Sequence, residues 1–142
     1  MRSFFDSSAF AKRFIEEEGS DEVDNICKKS TSIALSSLCV PEIMSALNRR
    51  LREKYITRKE YTKIKERLII EIIDAIIVNV VPEIISESIV LLEKNKLRTI
   101  VSIHIASALL WQPDIFVSSD KRQISAAKKS GLKVKYVGKP LS

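Results

Sequence analysis

Asp6, Glu42 and Asp120 are the residues through which this chain could do chemistry. Asp6 follows the short apolar run Ser3-Phe4-Phe5, Glu42 lies one turn into the helix after Ser32 to Leu35, and Asp120 follows Ile115 to Val117. If those runs are parallel strands, their carboxyl ends line one edge of a sheet, where ligands bind in such folds. Carboxylates gathered there repel one another. A hard divalent cation such as Mg2+ or Mn2+ relieves the repulsion, keeps several waters and can present one to a phosphate, so phosphodiester hydrolysis is the chemistry to expect. Each acid alone reads equally well as something plainer: Asp6 and Asp120 as helix caps, Glu42 as a solvated helix residue.

The elements that must position these acids can be traced along the chain. Strand one ends at Asp6-Ser7-Ser8, with a Ser hydroxyl placed to cap a helix from about Ala9 to Glu16. Gly19-Ser20-Asp21 opens a helix to Lys29, and Ser32 to Leu35 is a second strand. Ser36-Ser37 offers the next cap, with Pro41 in the first turn of a helix from about Leu38 to Lys54. Thr57 with Glu60 is a capping box for a helix to about Asp74, and these two helices form a hairpin. Ile76 to Val81 is β-branched and apolar, as expected of a strand covered on both faces, and Pro82 ends it and starts a helix to Lys94. Thr99 to Trp111 is apolar nearly all round, which predicts a buried helix. After the strand Ile115 to Val117, a helix runs from Asp120 to Ser130 with Gly131 at its C-cap, and Lys133 to Val137 is a last strand. Strands alternating with helices predict an α/β domain of three layers, with a central parallel sheet of four to five short strands and helices on both faces.

Composition bounds the rest. At 142 residues, with 45% hydrophobic and 30% charged residues and only 3 Gly and 4 Pro, the chain suits one globular domain over residues 1–142. Cys27 and Cys39 make no zinc-like spacing with His104 and read as small buried thiols of a reducing compartment. The N-terminus lacks the apolar core of a signal peptide, and the most apolar stretch, Leu68 to Val81, holds Glu71, Asp74 and Asn79. A cytoplasmic protein without a membrane span is expected. There is no GxGxxG and no Walker-type loop, which disfavours nucleotide-cofactor enzymes. The net charge of +6 favours an anionic partner such as nucleic acid. Basic residues crowd the hairpin from Arg49 to Arg67, broken by Glu53, Glu60 and Glu66, and read equally as an RNA-steering surface or as a solvated, pair-laced face.

Four segments carry a family resemblance. They are Phe5-Asp6-Ser7-Ser8-Ala9 with Lys12, Ser36 to Leu47 with Pro41-Glu42, Leu97-Arg98-Thr99 to Leu109 with His104-Ile105-Ala106, and Val117-Ser118-Ser119-Asp120-Lys121-Arg122. In this order they resemble the PIN-domain ribonucleases, in particular the VapC toxins of toxin-antitoxin pairs. The resemblance implies a PIN-like fold and a Mg2+- or Mn2+-dependent endoribonuclease acting on RNA, homodimeric and held inactive by a cognate antitoxin. It places Asp6, Glu42 and Asp120 on the family's metal-site acids, with Ser8 and Ser118 as supporting hydroxyls. The family's remaining acid falls on Val101, whose isopropyl group binds neither cation nor water, so the implied nuclease is weakened.

Other polar residues near these segments are weaker candidates. Asp74 and Asp114 precede strands and belong to the opposite edge, while Ser102 lies about 100° further round the helix than Val101. His104 can face the site, although a lone His in so apolar a helix reads first as a packed residue with a satisfied hydrogen bond. Arg98 can steer phosphate or bind a carbonyl, and Trp111 reads as a core or interface anchor. Two rivals stand beside the nuclease reading. One is a silent PIN module that binds RNA or a partner chain, and the other an unrelated α/β protein whose acids are scattered in space.

Overall fold

Phe4 and Phe5 set the plan of the molecule. In the computed structural model, which describes residues 1–139, both lie in β1 (Arg2–Phe5) and both are fully buried. Neighbouring strand residues point to opposite faces. Phe5 joins an apolar cluster with Leu35, Val117, Val137, Ile43 and Leu68, whereas Phe4 joins a second cluster with Ala34, Phe116, Ile84, Ile105 and Ala127. A strand buried on both faces belongs in the middle of a sheet, and β1 occupies the centre. The last three positions of the expected 1–142 domain lie outside the described residues.

The sheet has five strands in the order β3-β2-β1-β4-β5, with β2 (Ser32–Ser36), β3 (Ile76–Val78), β4 (Ile115–Ser118) and β5 (Val134–Tyr136). All four pairings are parallel, and the register sets Phe5 beside both Leu35 and Val117. Helices α1 (Ser7–Phe10), α2 (Ser20–Lys29), α3 (Cys39–Arg52) and α4 (Arg58–Glu71) contribute to the first cluster. Helices α5 (Pro82–Lys94), α6 (Thr99–Trp111) and α7 (Lys121–Lys129) supply the second. The result is the expected three-layer α/β domain. Among the described residues no helix is long and apolar enough to cross a membrane.

Several local expectations hold and several do not. Thr57 and Glu60 form the reciprocal capping box at α4, Pro82 opens α5, and Gly131 takes a positive φ of 99° just past α7. The helix expected over Ala9 to Glu16 is instead the single turn α1 followed by a 3-10 turn, Ala11–Arg13, and its cap is Asp6 rather than a Ser, because the Asp6 carboxylate reaches the Ala9 N–H. Helix α3 starts after Leu38 with no side-chain cap, while Ser36 Oγ accepts from the Leu38 N–H at 3.2 Å. The strand expected over Ile76 to Val81 with both faces covered is only three residues long. It lies at the sheet edge with Ile76 and Ile77 39–41% exposed. Cys39 is buried as expected, but Cys27 only partly.

Candidate active site

Asp6 sits where β1 ends and α1 begins, and its place in the fold turns a helix cap into the centre of a polar network. It is 1% exposed. Oδ1 accepts from the Ala9 N–H at 2.9 Å and from Ser8 Oγ at 2.8 Å, and Oδ2 accepts from Ser118 Oγ at 2.6 Å and from Gln123 Nε2 at 2.7 Å. These donors come from α1, the end of β4 and the first turn of α7. Burial pushes the Asp6 carboxyl above its ordinary value, against the opposing field of His104 and the hydrogen bonds from Ser118, Ala9 and Ser8. Cap and candidate ligand are therefore one residue.

Glu42 lies in the first turn of α3 and is half-buried. Its Oε1 accepts from Ser7 Oγ at 2.6 Å and lies 2.5 Å from His104 Nε2, which is itself 3.2 Å from Ser7 Oγ. Burial would raise the Glu42 carboxyl. The His104 hydrogen bond and field, the Ser7 bond and the Arg98 charge outweigh it and hold the group below its ordinary value. His104 thus faces the site and is also buried and hydrogen-bonded, so both readings of it hold. Arg98 is exposed at the N-cap of α6. Cys39 lies close enough to Asp6 and Glu42 for their charges to reinforce the effect of burial, which pushes its thiol well above the ordinary range.

Asp120 caps α7, accepting at Oδ1 from the Arg122 N–H at 2.9 Å and from the Gln123 N–H at 3.4 Å. Its own N–H donates to Ser118 Oγ, so Ser118 ties Asp120 to Asp6, as Ser7, next in sequence to Asp6, ties in Glu42. All three acids lie on the carboxyl edge of the sheet. Ser8 and Ser118 both donate to Asp6, and Ser8 also accepts from the Ser119 N–H. Val101 is 8% exposed and packed in the second apolar cluster, while the Ser102 hydroxyl is turned back onto the Thr99 carbonyl. Asp114 binds the Arg2 N–H at the opposite edge, where Trp111 lies under the Arg2 guanidinium.

Two observations test this edge for a cation. Among the described residues neither Asp6 nor Asp120 forms an ion pair, so a buried carboxylate is held by neutral donors alone. Among the same residues no group of three or more His, Cys, Asp or Glu side chains is disposed to hold a metal ion. Hard oxygen donors in this number fit one Mg2+ or Mn2+ taking one or two carboxylates and completing its shell with water. They do not fit a pair of ions.

Two residues of the network are not evident from the sequence. Ser7 looks like part of a turn, yet it bridges Glu42 and His104. Gln123 is 3% exposed and shares the buried side of α7 with Ala126 and Ala127. A polar side chain in step with that apolar face three residues after Asp120 is the available signal. Lys12, which the resemblance includes without a role, is buried away from the acids and binds Glu17 and the carbonyls of Glu18 and Lys139.

No protein-family model matches the sequence, and no curated protein matches it. Solved structures do. A toxin-antitoxin complex from Klebsiella pneumoniae is similar at 18% identity and a TM-score of 0.66, over 87% of this chain and 90% of that one. VapBC2 from Rickettsia felis, bound to a DNA fragment from their promoter, is similar at 12% identity and a TM-score of 0.69, over 96% and 98%. VapC20 from Mycobacterium tuberculosis, a toxin that cleaves the sarcin-ricin loop, is similar at 12% identity and a TM-score of 0.67, over 92% and 95%. At these identities the likeness establishes the fold. This chain has a VapC-like PIN fold.

Proposed function

We propose that this chain acts on RNA as a divalent-metal-dependent endoribonuclease of the VapC toxin type, slowed by Val101 and held in check by a cognate antitoxin. The observation that carries the reading is Asp6: a buried carboxylate without an ion-pair partner among the described residues, aimed by Ser8, Ser118 and Gln123 at the edge where Glu42 and Asp120 also lie. A Mg2+ or Mn2+ ion bound there would acidify a water and neutralise the leaving oxygen. Asp6 and Asp120 would hold it, linked through Ser118. Glu42 is kept ionised by His104 and Ser7, which occupy Oε1 and leave Oε2 to take a proton. The net charge of +6 supports a polyanionic substrate.

The antitoxin and a second copy of the chain are proposed as partners because of apolar surface. Ile85 and Ile89 on α5 are 43% and 53% exposed, and Ile70 and Ile73 beside the β3 edge are 65% and 74% exposed. The deciding experiment is RNA incubated with the chain in Mn2+ and in chelator, beside Asp6→Asn. Cleavage that needs Mn2+ and Asp6 supports the nuclease.

A silent module that binds RNA or a protein without cutting is the second reading. It is favoured by Val101 packed where an acid would complete the set and by the four protein donors that already occupy Asp6. It takes over if Mn2+ at saturation yields no cleavage and Val101→Asp restores none.

A further inference from the structure

We infer that single-stranded RNA crosses the molecule over α7 and the α5–α6 connection, with one base stacked on Tyr136, and not over the basic α3–α4 hairpin. The inference rests on the RNA reading above. Two clefts share Lys121 and Arg122, and the first of them adjoins the acid edge at Asp120. The first, about 530 Å³, is lined by Arg98, Ser119, Asp120 and Tyr136, and the second, about 400 Å³, by Lys94, Lys96 and Lys129. The first volume is in the range of about 300–1,000 Å³ that takes a small ligand, enough for one nucleotide.

The chemistry of the walls selects the ligand. Arg98, Lys121, Arg122, Lys94, Lys96 and Lys129 are all exposed, and Asp120 is the one acid among the residues lining the two clefts. Lys121 Nζ lies over the Tyr136 ring, 5.5 Å from its centroid, so a base that stacks on this face takes the place of the ammonium and leaves it to a neighbouring phosphate. Stacking on such a ring requires an unstacked base, which a duplex does not offer. Ser119 lines the same cleft, and its buried Oγ has no hydrogen-bond partner among the described residues, leaving a hydroxyl for a phosphate or sugar oxygen. Asp120 joins this track to the acids.

The hairpin also sets cations over rings, Arg50 over Tyr55 and Arg58 over Tyr61, as the track sets Lys121 over Tyr136, but its Arg67 donates to the Arg13 carbonyl. Glu53, Glu60 and Glu66 interrupt the rest. The hairpin also packs on the other face of the sheet from α6 and α7.

The test is fluorescence anisotropy of a short labelled oligoribonucleotide with the full chain in chelator, so that binding is read without cleavage. Tyr136→Ala should weaken binding on the order of tenfold, while Tyr136→Phe keeps it. The pair Lys94→Gln with Lys96→Gln should flatten the salt dependence by about 1.4, roughly 0.7 for each phosphate that is no longer neutralised. Lys63→Gln with Lys65→Gln on the hairpin should leave it unchanged. Melting curves of each variant exclude misfolding. The inference is overturned if Tyr136→Ala binds normally and the hairpin pair flattens the slope, or if the native chain binds no RNA. Weaker binding by the track variants with no Mn2+ cleavage in the native chain keeps the track and removes the nuclease. Cleavage indifferent to the track variants keeps the nuclease and removes the track.

Discussion

Glu42 Oε1 and His104 Nε2 meet at 2.5 Å and so join α3, on one face of the sheet, to α6 on the other. The contact lowers the Glu42 carboxyl below its ordinary value of 4.5 in spite of burial. A carboxyl lowered by folding stabilises the protein above its unfolded value, and that stability is lost as pH falls through the folded value. His104→Phe should therefore cost about 1–2 kcal/mol near neutrality and progressively less in acid. Urea unfolding over a pH series measures this. A deficit that stays the same in strong acid would mean that His104 matters only by packing.

Val101→Asp is expected to move activity and stability in opposite directions. A carboxylate at this buried position costs about 1–3 kcal/mol unless it finds a partner. It also adds charge at the start of α6, on the edge that carries Asp6 and Glu42. Mn2+-dependent RNA cleavage should rise while the melting temperature falls. An unchanged rate would mean that the missing acid at Val101 does not limit cleavage.

Asp6→Asn should abolish cleavage and leave the fold as stable at neutral pH or more so. Burial raises the Asp6 carboxyl, so its ionisation works against folding as pH climbs past the ordinary value, and an amide carries no such charge. Rotation of the Gln123 amide would present its Oε1, which has no partner among the described residues, to the new Asn N–H. Thermal melts of the two forms between acid and neutral pH decide it. A variant that melts several degrees lower would show that the ionised carboxylate itself holds α1, β4 and α7 together.

Much of this edge is legible in the sequence because it rests on local rules. Strand ends, the Thr57-Glu60 capping box, Pro82 and Gly131 are encoded within a few residues, and they put Asp6, Glu42 and Asp120 on the same side of the sheet. What depends on distant partners is not legible. Ser7 meets His104 only where α1 and α6, packed on opposite faces of the sheet, reach the same edge, and Gln123 meets Asp6 from far along the chain. The over-long strand at Ile76 has the same origin: β-branched residues suit a buried strand and an edge strand alike, and only the sheet order tells them apart.

A fourth expectation concerns association. Ile85, Ile89, Ile70 and Ile73 leave apolar surface uncovered, and a stable dimer needs more than about 1,000 Å² of such contact. Light scattering at micromolar concentration should give twice the monomer mass, and Ile85→Glu with Ile89→Glu should return it to one. A monomer throughout, with an unmodified chain, would leave those faces to a different protein.

The sheet order has a consequence for how the chain is made. Its middle strand precedes the other four in the chain, but two of the four donors that hold Asp6, Ser118 at the end of the neighbouring β4 and Gln123 in α7, come 112 and 117 residues later. At roughly 5–20 residues per second the nascent chain spends several seconds with its first aspartate unaccompanied by Ser118 and Gln123. A prematurely terminated product that lacks β4 and α7 thus has no assembled acid edge. The arrangement delays any chemistry there until β4 and α7 have been made.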